Sequence, residues 1–177
     1  GVLSLSPGNI IDNKLNLNNR RYVNWNKYYD SPEIHIQNGD ILLVKTGSVG
    51  KVCYVDNLSE PATLNPQMLV FKNLKVNKRY FFYALSSYYF QSLLNKHTKV
   101  ATLATITQDE LGSLKIPIPT NKEQKQIANY LVSHFDKDLL STKSISRFNT
   151  LLLQRMSSLV YQCVTGKIDI REYRKLD

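Results

Sequence analysis

KIPIPTNKEQKQIANYLVSHFDKDLLSTKSISRFNTLLLQRMSSLVYQCVTG, residues 115–166, decides the architecture, because a proline-punctuated extended stretch gives way there to an unbroken helical period. Lys115-Ile116-Pro117-Ile118-Pro119 alternates like a strand, and its two prolines forbid helix and mark a domain boundary. Thr120-Asn121-Lys122-Glu123-Gln124 then offers a capping box in either of two registers. Behind it Ala128, Leu131, Phe135, Asp138, Thr142, Ile145, Asn149, Leu152, Met156, Leu159 and Cys163 step alternately by three and four, the spacing of a coiled-coil seam. No Gly or Pro intervenes before Gly166, a natural residue just past a helix end. At 1.5 Å per residue such a helix runs roughly 60 Å, too long for a domain of about 120 residues to cover, so it is expected to project and find a partner helix. Asp138, Thr142 and Asn149 in the seam would weaken packing yet fix its register.

Upstream, the first third is dense in turn signals, among them Ser6-Pro7-Gly8-Asn9, Asp12-Asn13 and Asn38-Gly39-Asp40, between short apolar runs. Ile34, Ile36, Ile41–Val44, Val52–Val55 and Met68–Phe71 read as strands. Lys45-Thr46-Gly47-Ser48-Val49-Gly50-Lys51 between two of them is a loop whose glycines allow a sharp turn and close approach to another molecule. From Asn77, a favoured N-cap, Phe82, Leu85, Tyr89 and Leu93 recur at helical spacing and predict one amphipathic helix. Its many aromatics read as core packing more than as stacking platforms for bases. Thr102 to Thr107 reads as extended and Gln108 to Leu111 as a turn.

The 177 residues, 42% of them hydrophobic, suit one compact domain with an appended element. No apolar run approaches the roughly 18 to 20 residues of a membrane helix and no signal segment opens the chain, so a cytoplasmic protein with no membrane partner is expected. Cys53 and Cys163 form no metal motif and read as reduced thiols. Lys and Arg number 23 against 14 acidic residues, a formal charge of +9, which favours a polyanionic partner. The stretch from Glu60 to Asp109 contains no acidic residue between those two, yet holds Lys72, Lys75, Lys78, Arg79, Lys96 and Lys99. That window is either a face for phosphates or a solvated helix surface.

Catalytic signatures are missing. His35, His97 and His134 are scattered at no ligand spacing. Gly47-Ser48-Val49-Gly50-Lys51 lacks the spacing and the Ser/Thr of a phosphate-binding loop. Asn65-Pro66-Gln67 lacks the second proline and the aromatic ring of an amino-methyltransferase motif. No metal site and no catalytic residue is expected. The loops instead carry groups that pair with DNA: amides suit adenine, Arg and Lys suit guanine, and hydroxyls suit phosphates. The candidates are Arg20, Arg21 and Tyr22; Lys45, Thr46, Ser48 and Lys51; Asn65 and Gln67; and Lys96, Lys99 and Thr102, each of which could equally cap a turn or lie on free surface.

Leu152-Leu153-Gln154-Arg155-Met156 through Val164-Thr165-Gly166-Lys167-Ile168-Asp169-Ile170-Arg171 resembles the end of a conserved helical region in the DNA-specificity subunits of type I restriction-modification enzymes. Ile116-Pro117-Ile118-Pro119, then Glu123-Gln124 and Ile127, is similar to that family's entry to the helix, although Asn121-Lys122 replaces its usual apolar residue. Gly39-Asp40-Ile41-Leu42-Leu43-Val44, Gly47–Lys51 and Pro66-Gln67 resemble its target recognition domain. Members usually hold two recognition domains and two helical regions, whereas this chain holds one of each, which looks like a half-subunit or a C-terminal piece.

The resemblance implies an α+β target recognition domain over residues 1–119, one long coiled-coil helix over 120–165 and a short tail over 166–177. It implies sequence-specific reading of double-stranded DNA, with no catalysis and no cofactor in this chain. S-adenosylmethionine, ATP and Mg would belong to partner methyltransferase and restriction subunits. The seam would pair, antiparallel, with another copy or with the missing half. A coiled-coil scaffold protein with incidental basic charge is the rival expectation.

Overall fold

The computed structural model describes residues 1–99, 103–141 and 146–168, and side chains outside 135–154. The fold is α+β, in two compact units: Gly1–Leu74 with Leu93–Leu114, and Lys75–Ser92 with Lys115–Asp177.

The first unit is built on short strands: β1 (Val2–Leu5), β2 (Ile10–Ile11), β3 (Lys14–Leu15), β4 (Tyr22–Val23), β5 (Ile41–Val44), β6 (Val52–Tyr54), β7 (Ala62–Leu64) and β8 (Met68–Phe71), with α1 (Trp25–Tyr29) after β4. They form three small sheets, ordered β4-β1-β7, β2-β3 and β6-β5-β8. Every residue of β5 is buried, which explains its unbroken Ile-Leu-Leu-Val run: a central strand covered on both faces has no reason to alternate. β2 and β3 are joined by Asp12 and Asn13 at φ 50° and 60°, the two left-handed residues that a tight hairpin turn requires. Ile34 lies in a short 3-10 turn and Ile36 makes a single bridge to Ala62, where the sequence predicts strand. Leu3, Leu5, Ile10, Leu42, Val44, Cys53, Val55, Leu64 and Met68 close the core. At its edge buried Asp40 accepts from Lys72 Nζ at 2.8 Å and from the Gln37 amide at 3.0 Å.

The second unit is helical. The single helix predicted from Asn77 is two, α2 (Lys78–Ser86) and α3 (Tyr88–His97), and α3 passes from this unit into the first at Leu93. Ser87 makes the break. Its backbone is extended (ψ 149°), its hydroxyl donates to Ala84 O at 2.7 Å, and the same oxygen accepts from the Phe90 amide at 3.2 Å. One fully buried hydroxyl therefore ends one helix and caps the next. Tyr80, Phe82, Tyr83 and Phe90 are buried, as core packing requires, while Tyr88 is exposed.

Residues 115–119 form no strand. Their carbonyls serve side chains instead: Tyr80 Oη donates to Pro117 O at 2.7 Å and Gln124 Nε2 to Pro119 O at 2.8 Å. Burial pushes the Tyr80 phenol up to about 12. Thr120 and Glu123 settle the capping register, with Thr120 N donating to Glu123 Oε2 at 3.0 Å and Glu123 N to Thr120 Oγ1 at 3.4 Å.

Two helices follow, α5 (Asn121–Ser141) and α6 (Ser146–Val164), which pack against each other and both against α2. The heptad count predicts one helix across this region. Of its seam, Ala128, Leu131 and Cys163 are buried and Met156 and Leu159 half-buried. Thr142 and Ile145, and the side chains of Phe135, Asp138, Asn149 and Leu152, lie outside the described residues. Gly166 takes φ +71° just past α6, as its place in the sequence predicts. No helix of the described residues is long and apolar enough to cross a membrane.

Candidate nucleic-acid interface

The glycine loop leaves β5 at Lys45 and is closed on itself by Val44 N to Lys51 O at 2.9 Å and Gly50 N to Val44 O at 3.0 Å. Two other segments are bolted to it. The turn between β7 and β8 contributes Gln67 O, which accepts from Lys45 N at 2.9 Å and Thr46 N at 3.2 Å, and that turn is held by Asn65 Oδ1 accepting from Gln67 N at 2.9 Å. The segment before α4 (Gln108–Ser113) contributes Ala104 O, which accepts from Gly47 N at 2.8 Å, and the Ile106 amide, which donates to Lys45 O at 3.0 Å. Ile106 is buried and anchors that segment. Thr46 and Thr105 add a hydroxyl pair at 3.2 Å, and Thr105 pairs through both backbone groups with Lys99 at 3.0 Å.

Lys45, Thr46, Ser48, Lys51, Asn65, Gln67 and Lys99, predicted from three separate stretches, are thus brought to one surface. Ser48 is exposed there. Lys51 Nζ donates to Ile10 O at 3.4 Å, which leaves most of its hydrogen-bonding capacity outward. Gly47 sits at φ +85°, where a side chain would strain the loop. Lys99 Nζ lies 2.8 Å from Glu110 Oε1. That ammonium, together with the backbone and hydroxyl donors of Thr107, holds the Glu110 carboxyl down at about 2. Lys96 is exposed in the last turn of α3. Thr102 lies outside the described residues.

Arg20, Arg21 and Tyr22 lie across β1 from the strand that leads to Asn65. β4 runs antiparallel to β1 with Tyr22 opposite Leu3, so Arg21 and Arg20 flank the Leu5 end of β1; Asn65 follows Leu64, which pairs with Leu5 on the other side. Two strand spacings, roughly 10 Å, separate β4 from β7. Arg20 donates to Glu60 Oε1 at 3.0 Å and to Leu17 O at 3.2 Å, and Tyr22 and Glu60 raise its pKa further.

The sequence reading missed Leu103, Ala104 and Thr105, since nothing local marks a threonine that meets its partner 59 residues away. It also missed an aromatic group on α1, where Trp25 and Tyr29 stack at 5.8 Å and Tyr28 stacks on His35 at 3.5 Å. The histidines engage carbonyls: His35 Nε2 lies 2.7 Å from Tyr28 O, and His97 Nδ1 2.9 Å from Leu93 O.

Residues 8–150 match the family described as the type I restriction modification DNA specificity domain. The chain is 33% identical over 152 residues to the type I restriction enzyme MjaVIII specificity subunit of Methanocaldococcus jannaschii, covering 82% of this chain and 34% of that protein. Among solved structures it is similar to a type I restriction-modification S subunit from M. genitalium, at 22% identity, 76% of this chain, 35% of that one and a TM-score of 0.46. It is also similar to a chain of a type I R-M system whose structure addresses complex assembly and conformational transition, at 18% identity, 95% of this chain, 39% of that one and a TM-score of 0.57. The latter likeness is one of fold. The chain spans between 34% and 39% of the length of these relatives.

Proposed function

The chain belongs to the type I restriction modification DNA specificity family, and from that membership we propose that its strand-rich unit reads a short sequence of double-stranded DNA for a type I restriction-modification complex. The observation that carries the reading is the three-segment surface around Gly47. Amides, hydroxyls and ammonium groups from residues 45–51 and 65–67, and from Lys99 and Thr105, are carried there on a backbone held by main-chain hydrogen bonds, so they meet a duplex as one preorganised face. Preorganisation suits reading, because a backbone fixed before binding leaves only side chains to be ordered on contact. Ammonium and hydroxyl groups would position the backbone, and the two amides would address base edges.

The remaining roles follow from the same membership. The chain would catalyse nothing and bind no cofactor; a methyltransferase subunit would bring S-adenosylmethionine, and a restriction subunit ATP and Mg, in the cytoplasm. The helical region would pair as a coiled coil with another copy or another helical region, setting the spacing of a bipartite target. The family match does not favour a scaffold protein with incidental charge.

The test is DNA binding across a salt series, with and without the methyltransferase subunit. Neutralising four to six phosphates gives a log-log slope of about −4 to −5. Selection of one sequence from a random pool in the presence of that subunit supports the reading; salt-insensitive binding, or no selected sequence, defeats it.

A further inference from the structure

Leu103 is 53% exposed beside Gly47, on the polar surface just described. A Cβ placed on Gly47 would lie 3.9 Å from Leu103 Cδ1 and 4.0 Å from Gln67 Nε2. The leucine methyl and the carboxamide therefore flank one point above the glycine and are at most about 8 Å apart, inside the roughly 12 Å width of a major groove. Among the described residues the Gln67 carboxamide has no hydrogen-bond partner, although its backbone is fixed by three hydrogen bonds, two to its carbonyl and one from its amide. An aliphatic methyl beside an unengaged carboxamide matches an A·T pair in the major groove. Adenine presents N7 and the N6 amino group to an amide, and thymine presents its C5 methyl to an apolar side chain.

We propose that Leu103 is a specificity-determining residue that reads the C5 methyl of a thymine, with Gln67 beside it on adenine of the same or the adjacent pair. The inference rests on the DNA-reading function above and assigns one contact within it. Gly47 is the floor of the arrangement: with no side chain, it leaves open the space between the two readers. Thr105, two residues after the leucine, pairs its hydroxyl with that of Thr46 and its backbone with Lys99, so the leucine stands in a polar stretch. Leu103 keeps 53% of its surface exposed there, and a thymine methyl would cover part of it.

The experiment deletes only that methyl. With the methyltransferase subunit present, each thymine of the selected target is replaced in turn by deoxyuridine, and binding is measured for the wild-type chain and for Leu103→Ala. At one thymine the wild type should lose about fourfold in affinity, the worth of one buried carbon, while Leu103→Ala should be weaker on the natural target and indifferent to the change at that thymine. Thermal melts of the two proteins, expected to coincide for a half-exposed position, check that the variant is folded. If the wild type selects a target but no uracil substitution matters, or if Leu103→Ala remains as sensitive as the wild type, the assignment of Leu103 is overturned and DNA reading stands. If no target is selected at all, both fall.

Discussion

Thr46 and Thr105, 59 residues apart in the chain, share a hydroxyl–hydroxyl hydrogen bond of 3.2 Å that joins the glycine loop to the segment before α4. Thr105 Oγ1 also donates to Lys45 O at 3.4 Å, so the same hydroxyl touches two consecutive residues where the loop begins. Thr105→Val keeps the shape and removes these bonds. A net loss of about 0.5–1.5 kcal/mol is expected in urea denaturation. DNA should dissociate faster while its salt slope stays constant, because no charge has changed; an altered slope would mean that losing the bond moves a cation onto or off a phosphate.

Lys99 holds two possible partners, Glu110 now and a phosphate in the proposed complex. Glu110→Gln keeps the Thr107 capping box, since a glutamine at that position can still reach back, but frees the ammonium. DNA affinity at low salt should rise severalfold and the slope should steepen by about 0.9. If binding is unchanged, Lys99 faces away from the duplex.

The depressed pKa of Glu110, about 2, gives a pH dependence of definite sign. The carboxylate form is favoured by folding, so this contribution is intact above the ordinary value of 4.5 and disappears as pH falls from there towards 2. Lys99→Ala should move the titration midpoint of the Glu110 carboxyl, followed by NMR, upward toward 4.5, yet not all the way, because Thr107 still donates to it. A midpoint that stays near 2 would assign the shift to Thr107 alone.

What the sequence discloses here is local. Ile41–Val44, Met68–Phe71 and the Asp12-Asn13 hairpin each carry their signal within a few residues, and all three are found where that signal lies. Residues 115–119 alternate like a strand, but their partners are Tyr80, 37 positions away, and Gln124, so side chains replaced the ladder. The break at Ser87 is invisible because aromatic spacing runs through it, and only burial of the hydroxyl converts the serine into a double cap. At the site, residues of suitable chemistry could be named singly, yet which of them meet depends on the pairing of Gly47 with Ala104 and of Lys45 with Gln67, which no motif encodes. Leu103 escaped notice because a leucine in a polar loop has no signature.

Ser87→Ala tests that joint. The Phe90 amide and the Ala84 carbonyl would both lose their side-chain partner in a fully buried place. A destabilisation of about 1–2 kcal/mol, in line with loss of an N-cap, is expected in chemical denaturation. Threonine should not rescue fully, because the site has no exposed volume for a further methyl.

The spacer role proposed for the helical region makes a demand on α5 and α6 that a distance can check. Ser133 and Ser158 are both exposed, one on each helix, and carry spin labels after replacement by cysteine. Native Cys53 and Cys163 can remain, since burial pushes their thiols up to about 12 and 11 and leaves almost no thiolate at neutral pH; wild type should therefore take up almost no label. In the isolated chain α6 packs on α5 and α2, so the two labels should sit well inside the separation of a straight rod. One continuous helix would place them about 38 Å apart at 1.5 Å per residue. If the region becomes a ruler between two recognition domains, the longer distance should emerge when the methyltransferase subunit is added, and a heptad inserted between Asp138 and Ile145 should lengthen the preferred DNA gap by about three base pairs. A short distance that persists in a complex still selecting its bipartite target would show that α5 and α6 stay packed and that something other than a rod sets the spacing.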